Sequence, residues 1–564
     1  MRAQRATAPE GPTPVGRIAV ATLVAVAAAA CAIAMAVSSN RFPNELALPR
    51  PPLATIHPVI AAHPTPRIAR RVFLVIIDGL REASSHGLAT LDQLRRLGTS
   101  TTASSHYPTW SRPNYVSILT GVPPSASGVR TNRHSRPVPL DSLMDRARAS
   151  GLEVALATDY EVLPRLFLRR RDAHPGDILD LDIGGNAEIF EREAQASAEE
   201  YTSPFDEARY APWPGGFVEA GTAIAAGDAE LVVMLVGTVD GAGHEHGGAS
   251  DEYAAAARDA DRAVAKILER IDLGRDAIIV TADHGHTDRG GHGGISRQAI
   301  EVPLVMAGSG IRHGVAIDHA RLIDLAPTVA ALLGIPAPGH GLGRTLVEAL
   351  ALDPDANAAR RAADRARLAV TEDVVATADA AADEQLARSR ATRGTIAIAT
   401  ALLLIAIGVV LVRRRVVGLD ARRAAIAIAA NVAIQTALVV ALAGWAGPLM
   451  ASRSEATVAL LRYGMLAVAL LHVVSSWCLR ALRDGERLAA AITTACIALA
   501  VALVPAAYIW IEFPAPNVRL PGPMWLATIP ALQVTVACAA AHAALALAIE
   551  ILWFVRSRRS FRSP

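Results

Sequence analysis

The chain has 564 residues, and 52% of them are apolar or aromatic before its 41 glycines are counted; that share is above the soluble norm, excludes a disordered or collagen-like chain and points to membrane segments. Its 55 basic and 53 acidic residues nearly cancel overall but not by position: residues 1 to 37 carry three Arg and one Glu, residues 394 to 564 carry 15 Arg and six acids, and the middle keeps 37 basic against 46 acidic groups. An acidic middle excludes nucleic acid as a partner, and a single lysine, Lys266, among 54 arginines is a codon bias to which no function attaches.

Residues 18 to 37 are an uncharged, mostly apolar stretch behind Arg2, Arg5 and Arg17, long enough for one crossing at about 1.5 Å per residue. An A-x-A triplet at Ala34 to Ala36 fits signal cleavage. The stretch exceeds the roughly 7 to 15 residues of a signal h-region, so a cytoplasmic N-terminus followed by a transmembrane anchor over 1–40 is the expectation. Residues 41–70 are proline-rich and read as a tether. From 71 to 350, apolar runs at 72 to 77, 153 to 157, 231 to 236, 277 to 281 and 302 to 307 alternate with helical patterns. Continuous apolar strands between helices predict a doubly wound, mostly parallel α/β sheet covered by helices on both faces. A helix is predicted over 250 to 271, with Ser250, Asp251 and Glu252 at its positive end. Residues 351–393 are Ala-rich, charged and helical in pattern, and read as a stalk.

Five further spans are expected within 394–555, near 395 to 412, 424 to 444, 456 to 479, 488 to 510 and 524 to 552, followed by a short tail at 556–564. With the N-terminus inside, 12 arginines fall in the cytoplasmic loops 413 to 423 and 480 to 487 and in the tail, against Arg453 and Arg519 outside. The positive-inside rule asks for this asymmetry and puts the domain at 71–350 outside the cytoplasm, in a multi-pass cell-membrane protein. All four cysteines, Cys31, Cys478, Cys496 and Cys538, lie in predicted spans, so the domain has no disulfide and rests on its core and on metal.

The polar residues of that domain are ordered by its strands. Asp78 follows the first run directly, Asp240 comes four residues after 231 to 236, and Asp283 and His284 come two and three after 277 to 281. In open α/β sheets ligands bind outside the carboxyl ends of strands. With His244 and His292, three carboxylates and three imidazoles then share one edge, and six donors suit two metal ions better than one. A nucleophile is predicted at Ser111, at the start of a short helix between Pro113 and Gly121, where the helix dipole favours an alkoxide. Trp110 is read as a group stacking on the substrate or as simple packing, and Arg112 as a phosphate contact or a solvent-facing charge. His246 and His286 are not required as ligands and are placed beside or behind them.

These residues resemble a known family. Asp78 in IIDG, Ser111 in PTWSRPN, Asp240 with His244, the DHG of 283 to 285 and the later His292 resemble the alkaline phosphatase superfamily, in its type I phosphodiesterase/nucleotide pyrophosphatase branch. The resemblance covers roughly half of the chain. It implies an alkaline phosphatase-like fold, one zinc on Asp78, Ser111, Asp283 and His284, and a second on Asp240, His244 and His292, with Mn²⁺ or Mg²⁺ as alternatives. It also implies that Asn132, 21 residues after Ser111, binds a phosphoryl oxygen; a neutral donor suits a diester better than a monoester dianion. His292 lies only eight residues after His284, and TADHGHTDRGGHGG with PTWSRPN and a multispan region is similar to the GPI ethanolamine phosphate transferases. The expected activity is a two-zinc phosphodiesterase that works through a phosphoseryl intermediate on a small phosphodiester or a lipid head group. One alternative is a phosphoethanolamine-type transferase modifying an envelope glycolipid. The other is a lipid-handling membrane module with a secondary exported domain.

Overall fold

The computed structural model describes residues 14–48, 50–61, 65–160, 162–170, 201–202, 210–212, 216–446 and 453–560. Arg2, Arg5 and Arg562 of the topology argument lie outside them.

The strands are β1 (Val72–Ile77), β2 (Thr99–Ser104), β3 (Val154–Thr158), β4 (Arg169–Arg170), β5 (Tyr201–Thr202), β6 (Tyr210–Pro212), β7 (Leu231–Val236), β8 (Ala277–Thr281), β9 (Glu301–Gly308) and β10 (Ala320–Arg321). Eight of them form one sheet in the order β10-β2-β9-β8-β1-β7-β3-β6, and β4 pairs with β5 apart from it. Every residue of β1, β7, β8 and β3 is buried, as expected of strands covered on both faces. Each such Val, Leu or Ile contributes about 1.5–3 kcal/mol by leaving water.

The sheet is parallel except at β9, which runs antiparallel to both neighbours, β2 and β8. The reason is local. Residues 282–300 hold no helix beyond the single turn Arg297–Ile300, too little for the crossover that a parallel return needs, so the chain reverses. β2 (TSTTAS) has no apolar run to announce it; its threonines are β-branched and pair with β9.

The helix predicted at 250 to 271 is observed as Asp251–Leu268, and Ser250 Oγ accepts from the Tyr253 amide at 3.1 Å. It buries Tyr253, Ala257, Ala260, Val264 and Ile267, one stripe at helical spacing. Asp261 on the same face accepts from the Thr90 and Leu91 amides at 2.9 and 3.0 Å. The opening turn of the helix Ala89–Leu97 thus receives a carboxylate from its neighbour.

Among the described residues six helices are long and apolar enough to cross a membrane: Val15–Glu45, Pro354–Arg413, Ala421–Gly444, Val458–Leu479, Glu486–Glu512 and Pro523–Ser557. They are what a multi-pass membrane protein requires. The stalk and the second span form one helix of 60 residues, Pro354–Arg413, about 90 Å at 1.5 Å per residue. Its first turns pack on the α/β domain, where Arg360 donates to the Ile335 carbonyl (2.8 Å) and Arg367 to that of Gly343 (2.6 Å). The described part of the proline-rich stretch is docked as well: Leu53 is buried, and the Leu48 and Val59 amides donate to the Gly128 and Gly339 carbonyls at 3.2 and 3.1 Å.

Candidate metal centre

Asp78 leaves the end of β1 with its amide on the Val236 carbonyl of β7 (2.9 Å). Gly79 turns the chain in the left-handed region, φ +75°, and a Cβ there would lie 2.8 Å from Asp240 Cα, so only glycine fits. β7 runs into the helix Thr238–His246, whose spacing sets Asp240 and His244 on one face. The β8–β9 connection supplies Asp283, His284, His286 and His292, all buried.

Two groups of donors result. His284 Nε2 lies 3.4 Å from Asp78 Oδ1, 3.3 Å from Asp283 Oδ2 and 3.1 Å from Ser111 Oγ. His292 Nε2 lies 3.1 Å from His244 Nε2 and 3.6 Å from Asp240 Oδ1, while His244 Nε2 is 3.5 Å from Asp240 Oδ2. Two ligands bound at 2.0–2.1 Å on a tetrahedral ion stand about 3.3 Å apart, and these six separations cluster around that edge. The Nδ1 atoms of His292 and His284 face the carbonyls of Thr109 (2.6 Å) and Gly285 (3.2 Å). Those partners fix the tautomer that turns the Nε2 lone pair into the cluster.

The electrostatics agree with a cation. Asp78 Oδ1 and Asp283 Oδ2 are buried without a hydrogen-bond partner, and the ion-pair partners of Asp78, Asp240 and Asp283 are histidines. At the other end of the sheet the fully buried Asp276 is held by Arg70 and Arg71. Burial, then the charges of Asp283 and Asp240, push the Asp78 carboxyl well up, and burial raises Asp283 too. At Asp240 burial also works upward, but the hydrogen bond from His286 and the surrounding imidazoles outweigh it and hold the carboxyl below its usual range. Burial lowers the pKa of both His284 and His292, which favours the neutral form that metal ligands take. The donor set therefore fits metal ions, each orphaned oxygen aimed at a position a cation would fill.

Ser111 is the first residue of the helix Ser111–Thr120, which ends at Gly121 in the left-handed conformation. Asn132 lies beside it, its Oδ1 accepting from the Arg112 amide at 3.0 Å. The Arg112 guanidinium is held by the Tyr160 hydroxyl (2.8 Å) and the His134 carbonyl (2.7 Å). All seven expected ligands thus share one edge, with Asn132 adjoining. His246 stands apart and is exposed. Tyr115 had no sequence signal beyond its neighbours, while His286 takes the place beside the ligands expected of it. Tyr115, fully buried one turn after Ser111, donates its hydroxyl to Asp78 Oδ2. His286, fully buried, lies 2.7 Å from Asp240.

The mouth of the site meets the membrane helices. Trp110, 5% exposed, packs in one apolar cluster with Phe42, Leu46, Ile509, Ile529 and Leu532. Its indole crosses Gly293, where a Cβ would come within 2.6 Å of Nε1. Tyr107 donates to the Pro521 carbonyl (2.7 Å) and Arg130 to that of Asn517 (2.6 Å), both in the loop before the last helix.

Residues 214–337 match the model of the Metalloenzyme superfamily. Among curated proteins it is similar to GPI ethanolamine phosphate transferase 1 of Gibberella zeae, at 28% identity over 44% of this chain and 27% of the relative. It is similar also to the human protein of that name, at 24% identity over 50% of this chain and 33% of the relative. The chain therefore spans about a third of the length of these relatives. Among solved structures, human ectonucleotide pyrophosphatase/phosphodiesterase 5 matches at 13% identity with a TM-score of 0.37, covering 47% of this chain and 96% of that one.

Proposed function

We propose that the chain is a membrane-embedded phosphotransferase of the phosphoethanolamine-transferase type, taking its donor from a lipid-linked phosphodiester and passing the group to a glycolipid hydroxyl. The observation that carries this reading is Trp110, next to Ser111 in sequence and packed among the ends of membrane helices. A nucleophile at that junction meets a head group while the acyl chains stay in the bilayer. The names of the relatives supply the class of group and favour transfer over the phosphodiesterase expected from sequence, which uses the same residues with water as second acceptor.

Asp78, Ser111, Asp283 and His284 would hold one zinc ion, and Asp240, His244 and His292 a second, with Mn²⁺ or Mg²⁺ as alternatives. Bound zinc supplies Lewis-acid polarisation of phosphoryl and hydroxyl oxygens. Ser111 Oγ attacks phosphorus, the bond to the lipid alcohol breaks, and the serine proton ends on that alcohol. In the second half the acceptor oxygen displaces Ser111 Oγ and its proton returns to the serine. The Asn132 oxygen is engaged by the Arg112 amide, so its NH₂ group is the end that meets a phosphoryl oxygen. The arginine asymmetry of the loops supports an extracytoplasmic site.

The test is mass spectrometry of lipids from cells producing wild type or Ser111→Ala. A glycolipid carrying an added phosphoethanolamine-type group should appear with wild type alone. Release of the free phosphorylated head group without a modified lipid would make the enzyme a phosphodiesterase, and identical lipids in both would refute the reading.

A further inference from the structure

His286 sits inside the cluster, yet its geometry differs from that of the other imidazoles. Its Nε2 lies 2.7 Å from Asp240 Oδ1, well under the roughly 3.3 Å that separates two ligands of one tetrahedral ion and typical of a charge-assisted N–H···O⁻ bond. The ligand pairs around it stand at 3.1 to 3.6 Å. His284 and His292 place Nδ1 against a carbonyl, whereas the Nδ1 atoms of His286 and His244 are both buried with no partner, so it is the short contact to Asp240 that sets His286 apart from His244. The ring also has space made for it. A Cβ on Gly243 would lie 2.5 Å from His286 Cδ2, and one on Gly79 3.0 Å from the same atom. Arg81, paired with Asp288, holds the His286 carbonyl through its Nε.

We propose that His286 is a positioning residue: its Nε2–H holds Asp240 Oδ1 so that the carboxylate meets the metal shared with His244 and His292, and His286 itself binds no metal. The inference rests on the reading of this edge as a metal centre.

The experiment uses the full chain in detergent, zinc as the probe, and competition with a chromogenic chelator, with no substrate present. His286→Leu keeps the apolar volume and removes the donor; His286→Gln restores an N–H near the Nε2 position. The expected result is one zinc weakened about 10- to 100-fold in His286→Leu, the other unchanged, and affinity within about threefold of wild type in His286→Gln. Equal loss in both variants would make His286 a ligand, and wild-type affinity in both would make it packing alone; either overturns the proposal while leaving the metal centre intact. Absence of zinc from the wild type would overturn both.

Discussion

If the proposed lipid-linked donor is correct, replacing Trp110 by alanine should separate chemistry at the candidate metal edge from delivery of that donor. The side chain is 5% exposed, so nearly all of a tryptophan's roughly 200 Å² is covered, about 5 kcal/mol at 25 cal/mol per Å². One side of that contact is Gly293 within the α/β domain, and the other is the cluster with Phe42, Leu46, Ile509, Ile529 and Leu532. If the two share the burial evenly, about 2.5 kcal/mol holds the site against the membrane helices, a factor of roughly 60. The backbone role survives the change, because Asn114 binds the Trp110 carbonyl rather than the indole. The assay compares two donors: bis-p-nitrophenyl phosphate in solution and a long-chain phosphodiester lipid in vesicles. Trp110→Ala should cut kcat/KM on the lipid by about 60-fold and on the soluble diester by less than about fivefold. Equal losses on both donors, or an unchanged rate on the lipid, would refute the reasoning.

Ser111→Ala should abolish turnover while fold and metal content persist, since the serine is one donor among seven; a rate above a hundredth of wild type on a diester would exclude it as the nucleophile. Asn132→Ala should lower kcat on a diester about 10²- to 10³-fold, the usual cost of losing a transition-state donor; a silent substitution would leave Asn132 without a phosphate contact. Acid should destabilise the fold through His340. Burial lowers its pKa from 6.5 to about 4, and its Nδ1 accepts from the Asp141 amide at 2.9 Å. The stability it contributes is whole above pH 6.5 and is lost as pH falls through 4, at up to about 1.4 kcal/mol per pH unit. The melting temperature of His340→Asn should therefore fall less steeply over that window than that of wild type, and parallel curves would refute the assignment. A reporter inserted in the 480 to 487 loop should lie on the cytoplasmic side and one in the 351–393 region on the other; the reverse result would invert the topology.

What was legible in the sequence follows from how far each signal reaches. β1, β7 and β8 stand out because six apolar residues in a row, or four followed by the β-branched Thr281 in β8, can only be a covered strand or a helix, and they are too short for the latter. Asp78, Asp240 and Asp283 follow those strands within four residues, so locating the strands brings the acids to one edge. The direction of β9 was not legible, because an apolar run has no polarity; the reversal depends on the missing crossover between 282 and 300. β2 was hidden because its burial comes from pairing with β9 rather than from its own composition. Tyr115 and His286 are set by tertiary contact alone: the phenol reaches Asp78 only once the helix at Ser111 lies over β1, and the imidazole reaches Asp240 only across two glycines. Residues 41–70 look like a tether because proline suppresses periodicity, yet Leu53 finds a buried place on the domain.

The two ends of the sheet also explain why the site was easier to find than its supports. Both ends bury carboxylates, but Asp276 is satisfied by Arg70 and Arg71 from the entrance of β1, a closed ion pair with nothing left to bind. At the carboxyl end Asp78 and Asp283 carry orphaned oxygens, and burial lowers the pKa of His284 and His292, which works against a charge there that could offset them. A buried anion cluster of this kind is costly unless a cation joins it. On the reading of this edge as a metal centre, metal binding and local order there are one equilibrium. The supports of Asp78 and Asp240, the Tyr115 hydroxyl and the His286 ring, place the carboxylates in advance and, on the same reading, would shift that equilibrium toward the bound state.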